Sequence, residues 1–403
     1  MNMTRPAWII TFVLLLLAPA IPPMAVEKTP TLSPKTYRVL QDAEKLLDRG
    51  KSGEAIQRLE QLIRETAEDP YAQAVACQAL AHAHIDLGDY PAAIPPLERS
   101  LDLQALPHEA QRRSRYNLAQ LYLANERFSA AVEQLKIWFE ETEKPGADAY
   151  VLLGSAYLQL NQFKNAISPL RRAIAISEKP NETWYQSLLG AYNELQDYPA
   201  CVELLQRMLK LFPDRPDYWR QLSAIELMRK NNRQALAAME LGYLNGQLTG
   251  ERDLLNLAQL YSLLDIPYKA AQLLEKEINQ GRIEDTAKHW EQTADAWYRA
   301  KEMDASIAAY AKAVARGGDS GLRLRLAQLY LEERQWSKAR KRLLEVIESK
   351  ETKWRDRGWL LLGIACFEEN ALEQARSAFS EALKFAKTRQ QAAQWLTYLD
   401  QQT

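Results

Sequence analysis

The 403-residue chain holds only three cysteines, four histidines and 15 glycines. Three thiols are an odd number, and Cys77, Cys201 and Cys366 lie far apart in sequence, which argues against a disulfide framework and for small buried hydrophobes. His82 and His84 are two residues apart, so on a helix they point in divergent directions and cannot share a metal. His82 and Asp86 do share a face, as a solvated pair, while His108 and His289 have no ligand-spaced partner. Gly-x-Ser-x-Gly, Cys-x-x-Cys and Walker sequences are all missing. Inward carboxylate pairs suited to glycosidic chemistry are not evident either. The glycines gather once, at Gly317-Gly318-Asp319-Ser320-Gly321, but with no Gly-Lys-Ser/Thr ending and no preceding strand this is a turn rather than a phosphate cradle. Formal charge is −1, so no global basic field draws nucleic acid or an anionic membrane. Together these absences point away from an enzyme and imply no metal and no cofactor.

One apolar run stands out. A basic start at Arg5 precedes Ala7–Ala18 (AWIITFVLLLLA), which Pro19, Pro22 and Pro23 then break. About a dozen residues fall short of the roughly 20 that span a bilayer. The order reads as a secretory signal peptide over residues 1–25. Cleavage after Ala20 fits a small-x-small rule and Ala25 is a second candidate; no Cys follows, which speaks against a lipoprotein. Export to a bacterial periplasm is the expectation, with an uncleaved inner-membrane anchor as the alternative and the membrane's only point of attachment. Residues 26–35 are polar and proline-containing, a linker.

What the chain has in abundance is a repeating phrase. Asn256–Gly281 (NLAQLYSLLDIPYKAAQLLEKEINQG) reads as two amphipathic helices and a tight turn, with Leu257, Ala258 and Tyr261 on one and Ala270, Leu274 and Ile278 on the other. A small residue recurs near the start of each second helix: Ala55, Ala93, Ala131, Ala166, Cys201, Ala235, Ala270, Ser306, Ala339 and Ala375. The steps run 38, 38, 35, 35, 34, 35, 36, 33 and 36, too regular for a helical bundle. Twelve residues upstream most copies hold another small residue, three further on many hold a ring, and four after the second small residue comes a large one, as at Leu97, Leu274 and Phe379. Glu226, His84, Cys366 and Leu46 stand where a ring is expected, which predicts looser packing there. Prolines mark repeat boundaries and helix starts, whereas Pro95, Pro96 and Pro169 lie a turn further in and predict a kink or a delayed start.

This order of small, aromatic, small and large positions resembles the tetratricopeptide repeat over residues 36–387, with 388–403 as a capping helix and tail. The resemblance implies an all-α, right-handed superhelical solenoid of about ten repeats and a non-catalytic scaffold that binds protein or an extended peptide. In that family the second, fifth, ninth and twelfth residues of a repeat face a concave groove. Carried over, these are Tyr37, Tyr116, Gln120, Leu123, Gln186, Asn193, Arg220, Gln259, Glu291, Asp295, Tyr298, Gln328 and Phe367. Gln120, Gln259 and Gln328 share the phrase Leu-Ala-Gln-Leu-Tyr, and an amide both donates to and accepts from a peptide backbone. The densest charge, Lys338 to Arg342, belongs to a second helix: a solvated face, or a patch for an acidic partner or anionic bilayer. The blocks Pro216–Leu222, Glu251–Tyr261 and Ile266–Ala271 resemble exported repeat proteins encoded beside TonB, ExbB and ExbD in proteobacteria, which implies an accessory role in energy-transducing outer-membrane uptake. A chaperone-like factor that holds envelope clients is the alternative.

Overall fold

The computed structural model describes residues 30–402; the expected signal peptide lies outside them, as do linker residues 26–29. Among the described residues the regular structure is helical throughout, 21 α-helices and one 3-10 turn at Thr352–Trp354. The chain forms two compact units that part after Pro180. In the first, α1 (Pro34–Asp48) pairs with α2 (Ser52–Glu65), α3 (Pro70–Asp86) with α4 (Tyr90–Asp102), α5 (His108–Ala124) with α6 (Phe128–Glu140), and α7 (Ala147–Gln159) with α8 (Phe163–Ile176). In the second, α9 (Glu182–Glu194) pairs with α10 (Tyr198–Leu211), α11 (Pro216–Met228) with α12 (Asn232–Leu244), and α13 (Glu251–Leu263) with α14 (Pro267–Asn279). There follow α15 (Ala287–Arg299) with α16 (Met303–Ala315), α17 (Ser320–Glu332) with α18 (Trp336–Glu348), α19 (Arg355–Glu368) with α20 (Leu372–Ala382), and the closing helix α21 (Arg389–Gln402). Ten hairpins and a cap match the repeat count read from spacing, and each unit is a stretch of helical solenoid.

Each hairpin is held by the same three devices. Every one of the ten small second-helix residues, Ala55 through Ala375, is fully buried, because its missing bulk lets the paired backbones approach. The large residue four further on is buried too, from Leu59 to Phe379. Each turn then closes on one left-handed residue: Gly50, Gly88, Glu126, Asn161, Gln196, Lys230, Asp265, Lys301, Arg334 and Asn370. These stand five residues before the buried small residue in every copy. The next N–H bonds back to the carbonyl five residues earlier, for instance Arg127 to Tyr122, Ile266 to Tyr261 and Ala371 to Cys366. That is a Schellman closure, and it ends each first helix at one register.

The helix starts follow from capping chemistry. Ser33, Asp69, Asp89, Asn181, Asp197, Thr286 and Asp319 each accept a backbone N–H from the first turn. Ser33 and Pro34 open α1 two residues before the expected array boundary at 36. Pro95, Pro96 and Pro169 do not delay their helices: α4 starts at Tyr90 and α8 at Phe163, and both run on through their prolines. The cost is the backbone bond each proline fails to donate, in helices whose apolar faces are buried. Glu226 at the ring position is buried as well, and accepts from Arg229 (3.1 Å) and from Asn231 (2.9 Å) across its own turn. Gly317 and Gly318 form the turn between α16 and α17, Asp319 caps α17, and Ser320 and Gly321 open that helix. At the C-terminal end Trp395 of α21 stacks on Phe379 with ring centroids 5.4 Å apart, and Leu399 is buried.

Candidate functional site

All thirteen groove residues read from the sequence fall on first helices, divided between the two units. Tyr37 lies on α1 and Tyr116, Gln120 and Leu123 on α5. The second unit carries Gln186 and Asn193 (α9), Arg220 (α11), Gln259 (α13), Glu291, Asp295 and Tyr298 (α15), Gln328 (α17) and Phe367 (α19). First helices of neighbouring pairs touch directly where α1 meets α3 and where α17 meets α19.

Several of these side chains are already engaged. Arg220 grips the buried Asp253 of the next repeat through two bonds of 2.8 Å, and also reaches Asp217 at 2.5 Å. Gln186 donates to the Tyr218 hydroxyl at 3.1 Å, and that hydroxyl donates to Glu182. Tyr116 leans on Trp138 with centroids 4.9 Å apart, and burial pushes its hydroxyl up to about 12. Phe367 packs on Trp395 and Tyr398 of the cap. These residues tie repeats together before they meet any ligand.

Others are open. Gln120, Gln259, Gln328 and Asn193 make no side-chain hydrogen bond among the described residues. Between α13 and α15 the second unit's face hollows into a groove of about 430 Å³, lined by Leu255, Gln259, Ser262, Gln292, Asp295 and Arg299 among others. Polar side chains thus line this groove beside an apolar floor that includes Leu255, Ala258 and Leu274. Asp295 accepts a bond from Tyr310, and Glu291 beside it accepts none. Burial, then the charges of Asp295 and Asp319, raise the Glu291 carboxyl above its ordinary value.

Sequence reasoning missed a set of inter-repeat clasps. In three places a second-helix carboxylate accepts from the ring of the following first helix: Glu98 from Tyr122, Glu240 from Tyr261 (2.7 Å) and Glu275 from Trp297 (3.1 Å). A cation completes each, Arg127 at 3.3 Å, Lys269 at 2.7 Å and Lys312 at 3.0 Å. The signal was present, since each glutamate stands five residues after the buried small residue. Glu277, fully buried on α14, similarly accepts from Tyr243 at 2.6 Å and from Arg282. The dense basic run proves mostly spent: Arg340 bonds Glu369 at 2.6 Å and Arg342 holds Glu345 in two bonds. Cys77, Cys201 and Cys366 are buried and free. Burial raises the first two thiols to about 11, which keeps them protonated and inert.

Stacked hairpins with a polar, partly open first-helix face define a helical-repeat binding scaffold. The family model of the tetratricopeptide repeat matches residues 78–138, 116–181 and 324–392. Repeats of this kind serve in general as non-catalytic scaffolds for protein–protein interaction, with peptide or protein in the groove. No curated protein matches the sequence. Among solved structures, a tetratricopeptide repeat protein from Parabacteroides merdae is 13% identical over 74% of this chain and 100% of its own, with a TM-score of 0.38. YrrB, described as a TPR protein with an unusual peptide-binding site, is 17% identical over 45% of this chain and 89% of its own, TM-score 0.36. Naa15/Naa10 bound to HypK-THB is 11% identical over 89% of this chain and 64% of that one, TM-score 0.46.

Proposed function

We propose that this protein is a periplasmic adaptor that holds a segment of a partner protein along its first-helix faces, as an accessory component of a TonB-type outer-membrane transport system. The observation that carries the adaptor reading is the row of unpartnered amides, Gln259 and Gln328 above all, on a wall where Arg220 and Gln186 are already spent on neighbours. The envelope location rests on the N-terminal pattern of Arg5, Ala7–Ala18 and the prolines after it. The transport role rests on the blocks around Pro216, Glu251 and Ile266.

A photo-crosslinking residue in place of Gln259, installed in cells that make the full chain, tests all three parts. The adaptor reading expects a few defined proteins, including TonB, ExbB or ExbD homologues or a receptor they energise. Capture of many unrelated envelope polypeptides would mark a chaperone-like holding factor instead. Capture of cytoplasmic proteins alone would end both readings. N-terminal sequencing of the protein from the same cells decides between cleavage near Ala20 or Ala25 and an intact anchor.

A further inference from the structure

The groove face of the second unit carries a charge pattern that specifies its partner more closely. Three successive first helices place Gln259, Asp295 and Gln328 at the same, ninth, position of the repeat: amide, carboxylate, amide. Packed helix axes lie about 8–10 Å apart. An extended chain rises about 3.3 Å per residue, so roughly three residues span one repeat.

Carboxylates around this row are paired with cations. Asp253 has Arg220, Glu240 has Lys269, Glu275 has Lys312, Glu277 has Arg282 and Asp285 has Arg316. Glu291 and Asp295 have none. Asp295 accepts only the Tyr310 hydroxyl, and Glu291, half-buried one turn before it, accepts nothing. Four charged residues stand nearby, and none forms an ion pair with Glu291 or Asp295. Arg325 lies over the Tyr298 ring, 4.4 Å from its centroid, and also acts on the Tyr310 hydroxyl, so it reaches Asp295 only through that hydroxyl. Arg299 bonds Asp265 at 3.0 Å and the Ser262 carbonyl at 3.3 Å. Lys288, exposed and three residues before Glu291, makes no ion pair. Asp319, the third carboxylate that acts on Glu291, is occupied as the N-cap of α17. Glu291 is half-buried and Asp295 exposed, two adjacent carboxylates without an ion pair, and a ligand cation would form charge-assisted bonds with both.

We propose that this face takes an extended protein segment bearing one lysine or arginine, its cationic head received by Glu291 and Asp295 and its backbone hydrogen-bonded on either side by Gln259 and Gln328. The proposal rests on the adaptor reading above. It adds a charge and a register to the partner: a basic residue flanked by about three residues on each side before the next amide contact.

A phage-displayed library of random nine-residue peptides, panned on the immobilised full chain, is the probe. The expected consensus fixes Lys or Arg at one position. Replacing that residue by norleucine should weaken binding on the order of tenfold, the effect of losing one charge-assisted contact. The double variant Glu291→Gln/Asp295→Asn should weaken the parent peptide equally and lose nothing further with the norleucine peptide. Rising salt should weaken the parent complex and spare the double variant's. Both substitutions are isosteric and keep an acceptor for Tyr310, and an unchanged melting curve verifies the fold. A consensus fixed on an acidic or apolar residue, lost on Gln259→Ala but indifferent to the double variant, would overturn the charge assignment and leave the groove standing. Peptides that bind independently of Gln259, or no enriched peptide, would overturn the groove reading and this inference with it.

Discussion

Two glycines in the second unit should respond in opposite directions to the same substitution. Gly190 lies mid-helix in α9 with nothing within 4 Å of an added Cβ, whereas a Cβ on Gly363 in α19 would come within 3.0 Å of three ring carbons of Phe379. In both, Gly→Ala recovers about 1 kcal/mol of helix propensity. At Gly190 that gain stands alone, so Gly190→Ala should raise stability by about 1 kcal/mol. At Gly363 overpacking opposes it by about 1–3 kcal/mol. The ring has no room to give: Phe379 is fully buried and stacks on Trp395 with an interplanar angle of 6°. Gly363→Ala should therefore be neutral to about 2 kcal/mol destabilising, and the two variants should differ by about 1–3 kcal/mol. Urea unfolding followed by circular dichroism measures both, and Phe379→Leu in the Gly363→Ala background should recover part of the loss. If Gly363→Ala stabilises as much as Gly190→Ala, the packing of α19 on α20 described above is wrong.

Other outcomes follow from the turns, the ion pairs and the clasps. Lys301→Gly should add about 1 kcal/mol, since Lys301 holds φ +63° and glycine relieves the left-handed strain, visible as a higher urea midpoint. Arg220→Ala leaves the buried Asp253 unpaired and should cost on the order of 2 kcal/mol, with Asp253→Asn in that background restoring part of it in the same assay. Acid should loosen the second unit first through Glu182, Glu240, Asp285 and Glu351, whose carboxyls are held below their ordinary value by bonds from Arg215, Lys269, Arg316 and Ser320 respectively. A depressed folded-state carboxyl contributes stability above its unfolded value that is lost as pH falls through the folded one, so melting temperature should drop below the ordinary carboxylate range near pH 4.5. Glu291 has the opposite sign: its charged form is disfavoured in the fold, so Glu291→Gln should raise the melting temperature at pH 7, and the gain should fade as pH falls through its raised folded-state value into the ordinary carboxylate range near 4.5.

The phase of the repeat was legible because it is a local steric demand. Where two helices cross closely only a small residue fits, and Ala55 through Ala375 announce each crossing. The turns were harder to read. Gly50 and Gly88 carry the usual sign of a left-handed closure, but Glu126, Lys230, Lys301 and Arg334 adopt the same conformation without it. At Pro95, Pro96 and Pro169 a delayed start was the wrong expectation, because the sequence shows the lost donors and not the burial of the helix faces around them. At the candidate site, position in the repeat put Arg220 on a first helix, yet said nothing of Asp253, 33 residues on, which claims it. Glu240 and Tyr261 are 21 residues apart, so the recurring glutamate position is visible in the sequence but its partner emerges only once the hairpins are stacked.

The identical closure of all ten hairpins makes the length of this chain adjustable only in whole steps. Excising the 34 residues from Asp197 to Lys230 would join Gln196 to Asn231 and leave a seam chemically equivalent to the one removed. Adding or deleting five would move the left-handed residue off its register and set every later crossing against the wrong side chains. Growth and loss by duplication of complete repeats is therefore the one route by which such an array can change its length and keep its packing.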